Sequence, residues 1–148
     1  MKRYDQSVQG ATLLEIMLVL AIAAMIIVMS IRFYQSASNA QSANSILQQF
    51  QAITAAADNL GQASGGYLAA GVDAASIKAL IGSKNLNSPF GAVTIGTATA
   101  TTFPITFPSV PVAVCTIVTK QIQNNPKAVS ANTCSGVANL IITYDSTK

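Results

Sequence analysis

The sequence predicts an α+β chain: a long N-terminal helix, membrane-spanning in its first half and amphipathic in its second, packed on a small antiparallel β-sheet domain. Three observations carry this expectation. The run 11–31, ATLLEIMLVLAIAAMIIVMSI, is apolar apart from Thr12, Glu15 and Ser30. Apolar residues then recur at steps of three and four as far as Leu60, with no proline between. After residue 91, β-branched and aromatic residues gather in short stretches.

As a helix, the 21 residues of 11–31 reach about 32 Å, close to the roughly 30 Å hydrocarbon core of a bilayer. Lys2 and Arg3 precede the run and place the N-terminus in the cytoplasm, with the bulk of the chain on the other side. A cleaved secretory signal fits less well. Its apolar region is about 7 to 15 residues, and here the small-residue positions Ala21 and Ala23 fall inside the run. A plain anchor explains the greasy run and its basic flank but leaves Glu15 over. A carboxylate near the bilayer centre costs about 2.5–3.5 kcal/mol, and no Lys or Arg lies within a helical turn of it. A free amine on Ala11 would lie one turn earlier on the same face, and it exists only if the chain is cut between Gly10 and Ala11.

The stripe Phe33, Ala37, Ala40, Ala43 or Asn44, Leu47, Phe50, Ile53 or Thr54, Ala57 and Leu60 extends the predicted helix from Ala11 to Leu60, and Gly61 is its expected stop. At about 75 Å, such a helix is too long for the remaining residues to bury. Half of it must pack on lipid or on other copies. GQASGG, 61–66, reads as a break, and a short helix follows from Asp73 to Ile81. Asp73 is its cap, Val72 and Ile77 its staple, and Gly82 its end. NSPFG, 87–91, is turn chemistry, and AVTIG, TTFPITF and LIITY read as strands. Pro104 and Pro108 are expected at an edge or at strand ends. Pro111 to Ile122 reads two ways. Its Val and Thr content suits a strand, whereas Pro111, Cys115, Val118 and Ile122 fall at helical steps after a capping Ser109, and helix is the expectation.

Composition narrows the function. The 148 residues suffice for one domain, and with 51% hydrophobic and only 9% charged residues the chain is not intrinsically disordered. It has no His and no Trp, so His-based catalysis and His-ligated metals are excluded. Asp5, Glu15, Asp58, Asp73 and Asp145, with two cysteines, are a poor metal-ligand set, so no cofactor is expected. The net charge of +3 comes from basic residues that form no run, and the four tyrosines and five phenylalanines are scattered. No nucleic-acid partner is expected. An enzyme is the weakest class, because no titratable groups converge.

The junction Gly10, Ala11, Thr12, Leu13, Leu14, Glu15, after a short basic leader and ahead of an apolar run, resembles that of type IV pilins and pseudopilins. The resemblance implies that a prepilin peptidase cuts after Gly10 and methylates the new terminus at Ala11. It implies further that Glu15, at the fifth mature position, drives assembly. Ala11 departs from the Phe or Met usual there. The order of long helix, loop with minor helix and terminal strands implies the pilin fold. Its parts are a leader at 1–10, a transmembrane and filament-core half of the helix at 11–31 and an amphipathic half at 32–60. A connecting loop with the minor helix at 61–91 leads to a sheet with a disulfide-bounded C-terminal region at 92–148. FPITFPSVPVAVC and a second Cys near the C-terminus look most like type IVb pilins, the class of toxin co-regulated and conjugative thin pili.

Given export, Cys115 and Cys134 are expected as a disulfide rather than as two buried thiols. The expected function is that of a structural subunit whose partners are further copies of itself, the prepilin peptidase, an inner-membrane assembly machinery and, for the precursor, the membrane. The precursor would wait in the inner membrane and the product would be a pilus on the cell surface. In the filament, the Ala11 amine of one subunit and Glu15 of a neighbour would attract each other where charges are weakly screened. Ala21, Ala23 and Ala24 would let helices approach closely, unless they serve only as good helix formers. One alternative is a pseudopilin of a secretion apparatus, which shares a turn like Pro89, Phe90, Gly91. Such proteins usually bind calcium through an acidic C-terminal loop, where this chain has only Asp145. The other is a membrane-anchored periplasmic binding domain that does not polymerise.

Overall fold

The computed structural model describes residues 12–63, 74–82, 86–99, 101–136 and 138–148. The chain forms two compact units, Met1–Ala37 and Ser38–Lys148. Gly10, Ala11 and the capping Asp73 lie outside the described residues.

Helix α1 runs from Leu13 to Ala63. Thr12 precedes it: its carbonyl accepts from the Glu15 and Ile16 amides at 2.9 and 3.2 Å, and its hydroxyl accepts from the Glu15 amide at 3.4 Å. In the first unit α1 keeps its large apolar side chains exposed, and an 18-residue stretch with mean hydropathy 2.7 has none of its residues buried inside the protein. It is long and apolar enough to cross a membrane.

In the second unit, the C-terminal part of α1 buries Ala43, Ile46, Phe50, Ile53, Ala56, Ala57 and Gly61. The steps of three and four are those of a helix with one apolar face. The stripe therefore begins at Ala43 and includes Ile46, while Phe33, Ala37 and Ala40 remain exposed. Gly61 does not stop the helix. It lies within α1 on the buried face, and the helix continues two residues further. A glycine ends a helix when it turns left-handed, and that occurs at Gly82, with φ +81°, where the short helix α2, Ala74–Ile81, ends and the Gly82 amide reaches the Lys78 carbonyl at 2.9 Å.

Six strands follow: β1 (Asn87–Ser88), β2 (Gly91–Ala92), β3 (Thr94–Ile95), β4 (Thr102–Val110), β5 (Ala128–Ala131) and β6 (Ala138–Asp145). β1 and β2 form a hairpin around Pro89 and Phe90. The Ser88 hydroxyl donates to the Gly91 carbonyl at 2.7 Å and accepts the Phe90 amide at 3.3 Å, so the turn chemistry of NSPFG holds the hairpin. The other four make an antiparallel sheet in the order β3-β4-β6-β5. β4 and β6 bury alternate residues, and these face one another: Phe103 opposite Tyr144, Ile105 opposite Ile142, Phe107 opposite Leu140. With the α1 stripe they form the core, giving the α+β layout of a long helix packed on a small antiparallel sheet.

Pro104 and Pro108 correct an expectation, for both sit inside the longest strand rather than at its ends. β3 covers only Ile105 and Thr106 on β4's outer side, so that side is nearly an edge. The Pro104 carbonyl accepts from the Gly96 amide at 2.8 Å, away from β6, and its missing N–H therefore costs the β4–β6 ladder nothing. Pro108 falls at the irregularity between Phe107 and Val110. Two glycines make room for the rings. A Cβ on Gly96 would lie 2.6 Å from Pro104 Cγ, and one on Gly91, at φ +140°, 3.0 Å from Pro108 Cγ.

The ambiguous segment is a helix, α3, Val112–Ile122, with Val114, Cys115, Val118 and Ile122 buried. Its β-branched content is accommodated by Thr116 and Thr119, whose hydroxyls each donate to the carbonyl four residues back at 2.8 Å. Ser109 does not cap it. The cap position is Pro111, without a side-chain bond, and Ser109 lies in β4 at φ +53° with its amide donating to Asn139 Oδ1 at 3.3 Å.

Candidate functional site

Helix α1 carries charge at only two positions between Leu13 and Ala57, Glu15 and Arg32, and both side chains are exposed. Glu15 sits in the first turn, where the positive end of the helix dipole favours an anion. Around the pair, sixteen large apolar side chains from Leu13 to Tyr34 are exposed, with Phe33 at 78% and Tyr34 at 75%. A soluble monomer does not keep such a surface in water, so the first unit is a surface awaiting a host. Gly10 and Ala11, the positions expected for cleavage and methylation, lie outside the described residues, just before Thr12 in the sequence.

Cys115 and Cys134 are bonded, with Cα atoms 5.8 Å apart. The bridge joins α3 to the segment before β6. Cys115 is buried and Cys134 half-buried, and neither is a free thiol.

A third feature was not visible in the sequence. Asp58 on α1 accepts from Lys127 Nζ through Oδ2 at 2.8 Å and from the Tyr144 hydroxyl through Oδ1. The Lys127 ammonium also lies 5.8 Å from the centre of the Tyr144 ring, whose other neighbour is Phe103 at 5.1 Å. Three distant pieces of chain thus meet: the helix, the turn before β5, and β6. Burial first, then the bond to Asp58, pushes the Tyr144 hydroxyl up to about 12, and the bond to Asp58 raises Lys127 above its ordinary value. The cluster fastens the sheet to the helix. Its separations of 69 and 86 residues gave no local signal.

A groove of about 380 Å³ runs between Leu47, Phe50 and Gln51 of α1 and the end of α3 with Asn124–Pro126, and its polar lining is carboxamide. Among the described residues, no group of three or more Cys, Asp or Glu is placed to hold a metal ion. The chain matches no known family model, no curated protein and no solved structure.

Proposed function

We propose that this chain is a structural subunit of the type IV pilin kind, resembling the type IVb class, which a prepilin peptidase cleaves after Gly10 and which then polymerises from the inner membrane into a surface filament. One observation carries the reading: an acid in the first turn of a helix whose first unit is otherwise almost wholly apolar and exposed, five residues after a glycine that ends a short basic leader. In lipid that acid is costly, and a neighbour's newly made Ala11 amine relieves the cost. The amphipathic half of the helix, fastened to a sheet by Phe50, Ile53 and the Asp58 cluster, supplies the folded head that each subunit would display outside the cell.

Glu15→Ala should leave the protein in the membrane fraction and abolish surface filaments, read by electron microscopy of sheared material. Normal filaments from that variant overturn the mechanism. Gly10→Trp should accumulate a slower-migrating precursor, whereas N-terminal sequencing of the wild-type filament band should begin at residue 11. A mature chain beginning at Met1 would refute the reading.

A further inference from the structure

Residues 15 and 32 are seventeen positions apart, about 25 Å along a helix. Everything between them is uncharged, and almost all of it is apolar and exposed. We propose that Arg32 of one copy pairs with Glu15 of a second copy displaced by that distance along the axis, a contact that rests on the filament reading above. The occupant of this exposed helix face is thus a second copy of the same helix. The argument is one of charge complementarity. Two opposite charges on a helix with no other charge for 45 residues have no ion-pair partner among the described residues of their own chain, and copies inserted in one membrane share one orientation. Between parallel helices the charges meet only after a shift of about 25 Å, because in register Glu15 faces Glu15 and Arg32 faces Arg32. Such a contact is heterologous: the patch used on one copy differs from the patch used on the next. It leaves an unused acid at one end and an unused guanidinium at the other, so it propagates as an open filament rather than closing as a dimer.

In the membrane the same two charges bracket the apolar stretch between them. Each therefore lies toward one edge of the hydrocarbon core, where its solvation cost is smaller than at the centre but is not abolished. Pairing in the filament removes the cost that remains. The near-register contact with a neighbour's Ala11 amine uses a different neighbour, and the two oxygens of Glu15 can accept from both.

Val19, four residues after Glu15, and Gln35, three after Arg32, turn to the same side of the proposed contact. The native cysteines are bonded to each other, so cysteines introduced at these positions would report on neighbours alone. Val19→Cys combined with Gln35→Cys in one chain should give, on mild oxidation of filaments, a ladder of covalent multimers. Either substitution alone should give none. Filaments from the double variant without a ladder overturn the pairing while the pilin reading stands. Absence of filaments from wild type overturns both. Independently, Arg32→Gln should lower filament yield at least tenfold at an unchanged membrane level, and Arg32→Lys should restore most of it. Equal yields for Arg32→Gln and wild type would refute the proposal.

Discussion

Tyr144→Phe tests how the sheet is held to the helix. The ring stays, with its contact to Phe103, and only the hydroxyl donating to Asp58 is removed. A hydrogen bond to a charged acceptor contributes about 1.5–3 kcal/mol. The Asp58 side chain is 31% exposed and keeps Lys127, so water and the ammonium recover part of that, leaving an expected loss of about 1–2 kcal/mol at neutral pH. The pH dependence reads the same hydroxyl, whose ionisation is held back first by burial and then by the bond to Asp58. In the unfolded chain Tyr144 gives up its proton near 10.0, and in the folded domain only near about 12. Between those values the unfolded state is the one that ionises, so this contribution is complete below pH 10 and disappears as pH rises through about 12. A shift of about two units corresponds to at most about 2.7 kcal/mol, and screening through the exposed side of the cluster reduces this to roughly 1–2 kcal/mol. Lys127, also raised by Asp58, loses its contribution in the same direction and persists in the variant, which keeps part of the alkaline slope. The assay is urea denaturation of the full chain in detergent, followed by β-sheet circular dichroism at several alkaline pH values, alongside a tyrosinate absorbance titration. The variant should lack the late-titrating tyrosine and lose less stability above pH 10. A variant as stable as wild type at neutral pH, with an unchanged alkaline titration, would show that the hydroxyl and Asp58 are not bonded.

Two other perturbations address the sheet. Replacing Cys115 and Cys134 together by Ser opens a loop with a separation of 19 residues and should cost about 3 kcal/mol by chain entropy, measured as a lower urea midpoint that reductant no longer changes. Gly96→Ala sets a methyl 2.6 Å from Pro104 Cγ, and the rigid ring must move. The expected loss is about 1–3 kcal/mol, and Pro104→Ala in the same chain should relieve most of it.

Legibility in the sequence followed the range of the interactions concerned. Helix α1, helix α2 and the hairpin at NSPFG rest on contacts within a few residues, and periodicity or turn chemistry revealed them. The register of the α1 stripe was less visible. Small residues from Ala37 onward continue the three-and-four spacing, so nothing local marks Ala43 as the point where burial begins. β5 was missed because Ala128–Ala131 has little of the branched content that marks strands. Its pairing comes from β6 and from Asn132, whose side chain accepts the Ile141 amide and donates to the Asn139 carbonyl, both at 2.8 Å. The prolines of β4 were misplaced for a similar reason. Whether a proline is tolerated depends on which side of the strand is paired, and that is a property of the sheet. For Glu15 the pattern reversed: one charge in an apolar run is visible to anyone reading the sequence, whereas the partners proposed for it lie on other molecules.

In the filament proposed above, the division within α1 would let a lone acid direct assembly. Sixteen large apolar side chains from Leu13 to Tyr34 are exposed, and removing them from water is worth on the order of 20–40 kcal/mol. That quantity forbids a free monomer in water, but it does not choose between hosts. Leucine and isoleucine are nearly as well accommodated by lipid tails as by neighbouring helices, so the large term would cancel in the proposed move from bilayer to filament. What remains is small: close packing at the alanines, and the few polar groups that a bilayer serves badly and a neighbour serves well. Glu15 and Arg32 are the charged members of that set in the first unit's described residues. A difference of a few kcal/mol at two positions can therefore decide the fate of a helix whose burial is worth ten times as much, and isosteric changes to its aliphatic residues should matter less than neutralising either charge.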